Sequence, residues 1–440
     1  SGQVVINPNG VDQKTQLQGF NSRDAGERNA FMYEWSVCYY IITQCNQLLK
    51  SLDNPDLVLS GDAATKKNTF KAYALWWKGY SYSRIGSMYL AGVINNEVGT
   101  TNNNFLEHSK IVDEGNRLLE ECLATLNNLQ ANDDYNITMK AIVPTFNDNQ
   151  NVVTPEMWKR QIYTLQARNL LANKKLKSMT AADWQQILTL TGKGIRAVDN
   201  IFKFGMDPNA SNDISNAAYH PYAYIGDAVQ YTFASERLIQ EFKPGDKRLT
   251  QNFEQYPVPK VNIRGRGLQL GTRWRTIPIE EGGRYATNAN RGTVPWACSY
   301  EENELMQAEA LIKTSNVEQG LQLIDRVRDY QGSGLAHVAG TGLTAAQAYE
   351  ELRRERRIAL FLWGTAWYDA RRWGVTEPAS QGGGRSGAIV LLPGELLVPP
   401  QTAPSAEPCF IDYTYMDYWD VPLNELDFNE PSGNSAPVKN

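Results

Sequence analysis

The stretch EELRRERRIALFLWGTAWYDARRWG, at residues 350–374, decides the fold of this chain. Just before it, Thr344 and Gln347 have the spacing of a capping box, so a helix is expected to begin there. Apolar residues then recur at helical spacing on one face, while the other face carries four arginines and three glutamates. Gly364 interrupts this pattern, and a segment rich in tryptophan and arginine follows it. The stretch therefore predicts an amphipathic helix with many cations and few acids to neutralise them.

The charged face of this helix admits two interpretations. Charged runs usually belong to a solvated helix face, and composition alone favours that outcome. Alternatively, the arginines stack on the aromatic rings and pair with Asp369 in a half-buried network. Under that second interpretation Arg356, Arg357, Asp369 and Arg372 are structural rather than catalytic residues.

The order of residues in this stretch resembles the C-terminal signature of the SusD/RagB family, which comprises nutrient-binding outer-membrane lipoproteins of Bacteroidetes-type bacteria. The residues that carry the likeness are Glu355, Arg356, Arg357, Phe361, Gly364, Trp367, Asp369, Arg371, Arg372, Trp373 and Gly374. Ala370 stands where the family usually has leucine. Weaker likenesses extend over residues 30–429 and include a closing segment around Pro422 and Glu425. A motif this long and ordered favours the paired network over the solvated face.

Helical periodicity recurs through much of the chain. The apolar spacing predicts helices at residues 31–52, 70–88, 111–129, 155–172, 180–202, 228–242, 299–312 and 320–327. The small and large residues between Ala308 and Val327 have the spacing of a tetratricopeptide repeat, and residues 30–88 form a second candidate hairpin. The predicted fold is therefore mostly α, with tetratricopeptide-like helical hairpins in a superhelix, a large irregular loop layer and minor β structure.

We expect a single domain over residues 1–440. Its helical parts should lie at about 27–242 and 299–374, and its loop-rich parts at about 243–298 and 375–440. Residues 1–25 are polar and are expected to form an extended lead-in, while residues 389–392 are a possible strand. Long loops inside a compact protein are usually functional or disordered, and the aromatic content of these loops argues against disorder.

Composition excludes several classes of protein. The net charge of −5 gives no general attraction to nucleic acid, and no run of 18 apolar residues predicts a transmembrane helix. Cys38 and Cys45 are seven residues apart on one predicted helix, so their Cα atoms lie about 10 Å apart, too far for a disulfide. We expect Cys38, Cys45 and Cys122 to be small buried hydrophobic residues.

No motif in the sequence indicates catalysis. The chain has no phosphate-binding loop, nucleophile elbow or zinc-protease motif, and its three histidines are scattered. Asp133, Asp134 and the acidic residues near the C-terminus lack calcium-loop spacing and are expected to be solvated. We therefore expect no cofactor, no metal and no enzymatic activity, although a pair of distant glycosidase carboxylates leaves no local signature.

Two arguments select candidate ligand-binding residues. The resemblance directs attention to the loop after the second helix, and residue chemistry adds aromatic rings in the segment rich in arginine and glycine, because these rings lie outside any apolar stripe. The candidates are Tyr89, Asn95, Asn96, Trp274, Tyr285 and Trp296. Alternatively, the two tryptophans hold long loops in place, since tryptophan is highly buried on average. The loop with Tyr222 and Tyr224 is the next candidate.

The resemblance implies a non-catalytic protein that binds oligosaccharides or similar polymeric nutrients. It further implies a surface-exposed lipoprotein of the outer membrane, anchored through a lipidated cysteine upstream of this sequence, that delivers its ligand to a SusC-type TonB-dependent transporter. The alternative is a helical-repeat scaffold whose aromatic residues anchor another protein and which has no saccharide ligand.

Overall fold

The computed structural model describes residues 4–6, 13–22, 29–142, 152–205, 234–261, 271–278, 281–283, 293–413 and 415–440. The elements up to residue 205 are β1 (Val4–Ile6), α1 (Gln13–Phe20), α2 (Ala30–Leu52), α3 (Ala63–Met88), β2 (Ala91–Gly92), β3 (Leu106–Glu107), α4 (His108–Leu126), α5 (Asp133–Ile142), α6 (Pro155–Ala172), α7 (Ala181–Gly192) and β4 (Lys203–Gly205). The later elements are α8 (Glu236–Ile239), α9 (Lys247–Asn252), β5 (Phe253–Lys260), β6 (Thr272–Thr276), β7 (Thr293–Pro295), α10 (Tyr300–Lys313), α11 (Val317–Tyr330), α12 (Ala345–Ala359), α13 (Thr365–Arg372), β8 (Arg385–Leu392), β9 (Ser405–Ile411) and α14 (Leu423–Leu426). Helices dominate and the sheets are small, which confirms the predicted fold class. None of the helices in these ranges is both long and apolar enough to cross a membrane.

The chain forms two compact units. Unit 1 comprises residues 1–12, 175–192 and 202–414, and unit 2 comprises residues 13–174, 193–201 and 415–440. Because the segments of the two units alternate along the chain, no single boundary in the sequence separates them.

Unit 2 is built around α2, α3 and α4. The side chain of Asn29 caps α2 by accepting a hydrogen bond from the Phe31 amide at 3.0 Å. The predicted apolar face of α2 is buried, including Trp35, Cys38 and Cys45. The buried residues of α2 match the apolar spacing in the sequence, so the local sequence pattern is enough to predict this helix.

Close packing of α3 against α4 depends on glycine. A Cβ atom at Gly115 would lie 2.9 Å from the Gly79 carbonyl oxygen, and one at Gly86 would lie 2.6 Å from the His108 carbonyl oxygen. Real Cβ atoms do not approach the backbone so closely, so these positions must lack a side chain. Cys122 is buried in the same interface, where its Sγ donates to the Ala72 carbonyl oxygen at 3.2 Å. The three cysteines predicted to be buried are all buried and free.

The core of unit 1 is the hairpin of α10 and α11 together with α12. Leu305, Ile324 and Leu352 belong to one buried cluster. A Cβ atom at Gly320 would lie 2.9 Å from the Ala308 carbonyl oxygen, so this position in the predicted small-large spacing must lack a side chain. The hairpin and its small-large spacing are therefore confirmed.

Several boundaries differ from the sequence prediction. Helix α7 ends at Gly192 and does not continue to residue 202, because the glycines at 192 and 194 weaken the helix and Ile195 instead donates its amide to the Thr164 hydroxyl at 3.0 Å. The helix predicted at 228–242 is represented only by α8 in the described residues, since residues 228–233 lie outside them. Helix α5 was not predicted, and Asp134 in its first turn pairs with Lys66 at 3.0 Å.

The sheet of unit 1 corrects two predictions of irregular structure. Strand β1 pairs with β9 in parallel, with Val5 opposite Phe410, and β8 pairs with β9 in antiparallel register. Residues 1–25 therefore contain a strand and a helix, α1, where an extended lead-in was expected, and residues 375–440 are less irregular than predicted. Short strands that pair across hundreds of residues leave little local signal. The strand predicted at 389–392 is confirmed within β8.

Candidate functional site

The signature stretch forms a buried charge network. Gly364, with φ of 76°, and Leu362, with φ of 63°, adopt left-handed conformations between α12 and α13. Asp369 on α13 accepts hydrogen bonds from Arg356 Nε at 2.8 Å and Arg356 Nη2 at 3.0 Å, and another from Arg372 Nε at 2.8 Å. Asp369 is 3% exposed and both arginines are similarly buried. The interpretation of this stretch as a solvated face is therefore wrong. The paired network is confirmed for Arg356, Asp369 and Arg372, whereas Arg357 has no carboxylate partner among the described residues.

Glu309 on α10 completes this network. Both of its carboxylate oxygens accept hydrogen bonds from Arg372 at 2.7 Å, and Tyr349 donates to one of them at 2.9 Å. Burial acts to raise the pKa of Asp369, but the charges of Arg356 and Arg372 outweigh it and lower the pKa. Burial also acts to raise the pKa of Glu309, but the charge and hydrogen bonds of Arg372 outweigh burial and lower this pKa. Two carboxylates and two guanidinium groups thus neutralise one another, which is a structural role.

The polar loop after α3, here called the asparagine loop (residues 93–105), is held by two tyrosines. Tyr39 accepts a hydrogen bond from the Val93 amide at 2.7 Å and donates to the Val93 carbonyl at 3.0 Å. Tyr82 makes the same pair of bonds with Asn95, at 2.9 and 3.1 Å. Burial raises the pKa of both hydroxyls, so they stay protonated and can donate as well as accept. The base of the loop is therefore rigidly attached to α2 and α3.

Asn95 and Asn96 have different roles in this loop. The Asn95 amide folds the loop on itself by donating to the Thr100 carbonyl and accepting from the Thr100 hydroxyl, both at 2.6 Å. Asn96 is exposed, and its amide donates to Glu114 Oε1 at 2.7 Å. Arg117 holds the same carboxylate at 2.7 Å. Asn96 is thus an oriented surface amide, whereas Asn95 is chiefly a loop-shaping residue.

The C-terminal segment of unit 2 supports the other end of the asparagine loop. The amides of Ser432 and Ala436 donate to the carbonyls of Asn103 and Phe105 at 2.9 and 2.8 Å. The Asn429 side chain donates to the Asn102 carbonyl at 3.0 Å. Between its two supported ends, the loop exposes a group of polar side chains: Asn96, Glu97, Thr100, Thr101, Asn103 and Asn104.

Tyr89 differs from its predicted role. Its ring is fully buried, packs edge-on against Trp35 at 5.0 Å, and its hydroxyl donates to the Phe31 carbonyl at 2.5 Å. Tyr89 therefore connects the end of α3 to α2 and has no surface to offer a ligand in this structure.

The aromatic candidates of unit 1 are partly buried. Trp274 on β6 lies opposite Gln255 and packs on a cluster that includes Leu238 and Phe253. Trp296 follows β7, and its amide donates to the Phe202 carbonyl at 3.0 Å. Neither ring is fully buried, so contact of either with a ligand remains a prediction.

The remaining aromatic candidates cannot be placed. Tyr285, Tyr222 and Tyr224 lie outside the described residues. Asn95 and Asn96 belong to unit 2, whereas Trp274 and Trp296 belong to unit 1. The structure therefore brings only the two asparagines of the predicted set together on one loop.

The C-terminal region resembles a known protein family. A model of the SusD family matches residues 299–428, which include the whole charge network described above. Residues 299–428 are SusD-like. No curated protein sequence matches the chain significantly.

Solved structures of SusD-like proteins share its fold. A SusD-like carbohydrate binding protein from Bacteroides fragilis superposes with a TM-score of 0.59 at 15% identity, over 91% of this chain and 85% of that one. A second SusD-like protein from Bacteroides fragilis gives a TM-score of 0.57 at 14% identity, over 90% and 84%. A structure with a xylogluco-oligosaccharide gives 0.57 at 14% identity, over 94% and 89%.

The sequence alone did not identify Tyr39 and Tyr82, the two tyrosines whose hydroxyls hold the asparagine loop. Tyr39 lies four residues after Trp35 and three residues before Ile42, and both of these neighbours are buried. Helical spacing therefore predicts that the Tyr39 ring points toward the core. A buried tyrosine hydroxyl needs a partner, and that need was the available signal. Which loop supplies the partner depends on tertiary structure.

Proposed function

We propose that this chain is a non-catalytic binding protein for oligosaccharides or similar polymeric nutrients. It acts at the surface of the outer membrane and delivers its ligand to a TonB-dependent transporter of the SusC type. The observation that carries the proposal is the SusD-family region at residues 299–428 within a SusD-like fold. Of the solved proteins with this fold, two are described as carbohydrate-binding and another is solved with a xylogluco-oligosaccharide.

The chemistry of the asparagine loop supports saccharide binding. Side-chain amides both donate and accept, as sugar hydroxyl groups require, and the loop exposes Asn96, Asn103 and Asn104. Because Tyr39 and Tyr82 fix the loop, little conformational entropy is lost when a ligand orders it. Binding of this kind needs no acid, base or metal. The described residues contain no group of three or more His, Cys, Asp or Glu side chains that could hold a metal ion.

The proposal is tested with a glycan array followed by calorimetry on the glycan that binds best. Asn96→Ala removes an oriented surface amide and should weaken binding by roughly tenfold, the loss of about one hydrogen bond. Asn128→Ala is the matched control, since Asn128 is an exposed asparagine at the end of α4 whose side-chain amide donates to the Ala124 carbonyl at 3.3 Å. If no glycan binds to the folded protein, saccharide binding is refuted.

The aromatic candidates are tested with the same glycan. Trp274→Ala and Trp296→Ala should each be compared with wild type for affinity and melting temperature. Stacking on a sugar face contributes on the order of 1 kcal/mol beyond area burial, so a stacking tryptophan should weaken binding by about tenfold on removal. A lower melting temperature with unchanged affinity would show that the ring only holds its loop in place.

Catalysis and delivery need separate measurements. Incubation of the protein with the bound glycan should leave the chain length of the glycan unchanged, and appearance of shorter products would indicate a glycosidase. The delivery step predicts that the purified cognate transporter forms a complex with this protein in detergent. Failure to form that complex would contradict delivery without contradicting glycan binding.

One feature favours the alternative of a protein-interaction scaffold. Tyr33, Val37 and Tyr40 follow one another at helical spacing on α2 and are 58%, 55% and 66% exposed. Large exposed apolar residues in one stripe are typical of protein contacts. Tyr40→Ser should therefore weaken binding to the transporter and leave glycan affinity unchanged. A protein that binds the transporter but no glycan would support the scaffold alone.

A further inference from the structure

Unit 1 contains a cationic cavity beside the charge network. Its volume is about 370 Å³, which lies in the range of small-ligand sites. The residues of interest on its wall are Arg353, Arg354, Arg356, Arg357, Arg385 and Trp373. The first four project from α12 and Arg385 from β8, so one helix supplies most of the cations.

Two of these arginines are neutralised by the carboxylates Glu241 and Glu350. Both oxygens of Glu241 accept hydrogen bonds from Arg353, at 3.1 and 2.9 Å, and one also accepts from Arg385. Glu350 accepts from Arg353 at 2.9 and 2.6 Å. Burial acts to raise the pKa of Glu241. The hydrogen bond from Arg353 and the charges of Arg385 and Arg353 outweigh burial, so the pKa of Glu241 is lowered. Glu241 and Glu350 together therefore neutralise Arg353 and Arg385, just as Asp369 and Glu309 neutralise Arg356 and Arg372.

Arg354 and Arg357 have no carboxylate partner among the residues that the structure describes. Arg354 makes one long hydrogen bond, at 3.4 Å, to the Glu241 carbonyl oxygen. The Nε atoms of Arg354 and Arg357 are buried and make no hydrogen bond within the described chain. Burial, followed by repulsion from Arg385, lowers the pKa of Arg357 to about 10. The cavity thus carries two cations in excess of its carboxylates.

The other unsatisfied groups on the wall are also donors. Arg356 Nη1 and Trp373 Nε1 are buried without a hydrogen-bond partner in the described residues. An unpaired buried cation is costly, and an oxyanion that enters the cavity would offset the excess positive charge of Arg354 and Arg357. Guanidinium groups bind carboxylate and sulfate oxygens in a bidentate geometry, which suits them to this task.

We propose that this cavity is a binding site for a small ligand that carries an oxyanion, either a carboxylate or a sulfate group. Arg354 and Arg357 bind the anionic group, and Trp373 contributes to the apolar part of the wall. The carboxylate of an acidic sugar and a free inorganic oxyanion share this chemistry. The proposal does not depend on saccharide binding at the asparagine loop.

The test measures binding of sodium glucuronate, inorganic sulfate and neutral glucose by calorimetry at low ionic strength. Glucuronate and sulfate should bind, with an affinity that falls as salt rises, and glucose should not bind at this site. Arg357→Gln should weaken anion binding by about tenfold or more. Arg326→Gln is the matched control, because Arg326 is a largely exposed arginine on α11 outside the cavity.

Thermal unfolding separates loss of the site from loss of the fold. Without ligand, Arg357→Gln should melt no lower than wild type, because it removes an unneutralised cation. Glucuronate should raise the melting temperature of wild type and of Arg326→Gln, but not that of Arg357→Gln. If Arg357→Gln does not fold, Arg354→Gln provides the same comparison.

The anions distinguish the two ligand sources. Tighter binding of glucuronate than of sulfate identifies an acidic sugar, and equal binding identifies a free oxyanion; both support the site. The proposal is overturned if wild type binds neither anion, or if Arg357→Gln and Arg354→Gln bind them as wild type does. Asn96→Ala should leave glucuronate binding unchanged, so failure of this site and failure of saccharide binding at the loop remain distinguishable.

Discussion

Replacing Asp369 with alanine should strongly destabilise unit 1. Asp369 accepts three charge-assisted hydrogen bonds at 2.8–3.0 Å and is 3% exposed. Its removal leaves the buried Arg356 without a carboxylate and leaves Arg372 with Glu309 alone. Removing one partner of a buried ion pair costs about 3–5 kcal/mol, because the remaining charge is uncompensated. For a unit of this size the melting temperature should fall on the order of 5–10 °C.

The assay is urea-induced unfolding followed by fluorescence and circular dichroism, with thermal unfolding as a second measurement. Asp113→Ala is the control, since the Asp113 side chain is 68% exposed and pairs with Lys110 at 3.5 Å on the surface of α4. Such a surface pair contributes about 0–1 kcal/mol. Asp369→Ala should leave glycan affinity per folded molecule unchanged. If the variant unfolds at the same urea concentration and temperature as the control, the charge network does not stabilise the fold and this reasoning is refuted.

Three further predictions concern packing, pH and the asparagine loop. Gly115→Ala should destabilise unit 2 by about 1–3 kcal/mol in urea unfolding, because its Cβ would overlap the Gly79 carbonyl. The control Gly192→Ala, with open space around the new Cβ, should be neutral or slightly stabilising. Equal effects of the two substitutions would contradict the packing argument. The lowered pKa of Asp369 means that its ionised form stabilises the folded state. This contribution is fully present above the unfolded-state pKa of about 4 and is lost as pH falls through the lower folded-state pKa. The free energy of unfolding of Asp369→Ala should therefore depend less on pH between about 5 and 2 than that of wild type. Tyr82→Phe removes both hydrogen bonds between the Tyr82 hydroxyl and the Asn95 backbone. Amide hydrogen exchange at residues 95–100 should therefore become faster, and glycan affinity should fall. Unchanged exchange would show that these two hydrogen bonds do not hold the loop in place.

The tight helical packing around Gly79, Gly115 and Gly320 shows how local pattern and tertiary contact share control of this fold. Each glycine was visible in the sequence, but only Gly320 belonged to a predicted small-large spacing, that of a tetratricopeptide repeat. At Gly115 the need for a missing side chain became apparent only when α3 and α4 were placed together. A glycine within a helix can be present for several reasons, so the sequence alone could not show that close packing against α3 is the reason at Gly115.

The candidate site divides in the same way. The sequence placed Asn95 and Asn96 on one polar loop, but it could not distinguish the loop-shaping amide of Asn95 from the exposed amide of Asn96. It also treated Tyr89 as a surface ring, although that ring is fully buried. Exposure depends on neighbours that are distant in the chain, such as Phe31 for Tyr89, and no local spacing encodes them.

The sequence by itself determined the helical parts whose information is local. The capping box at Thr344 and the apolar faces of α2, α10 and α11 follow from hydrogen bonds and spacings within a few residues, and they are observed as expected. Only the tertiary structure decided how charges on α12 are shared. Arg353 and Arg357 lie four residues apart on the same helix, yet Arg353 pairs with Glu241 while Arg357 faces the cavity without a carboxylate partner in the described chain. The difference arises because Coulomb interactions and desolvation depend on distance and burial in space, and helical periodicity specifies neither.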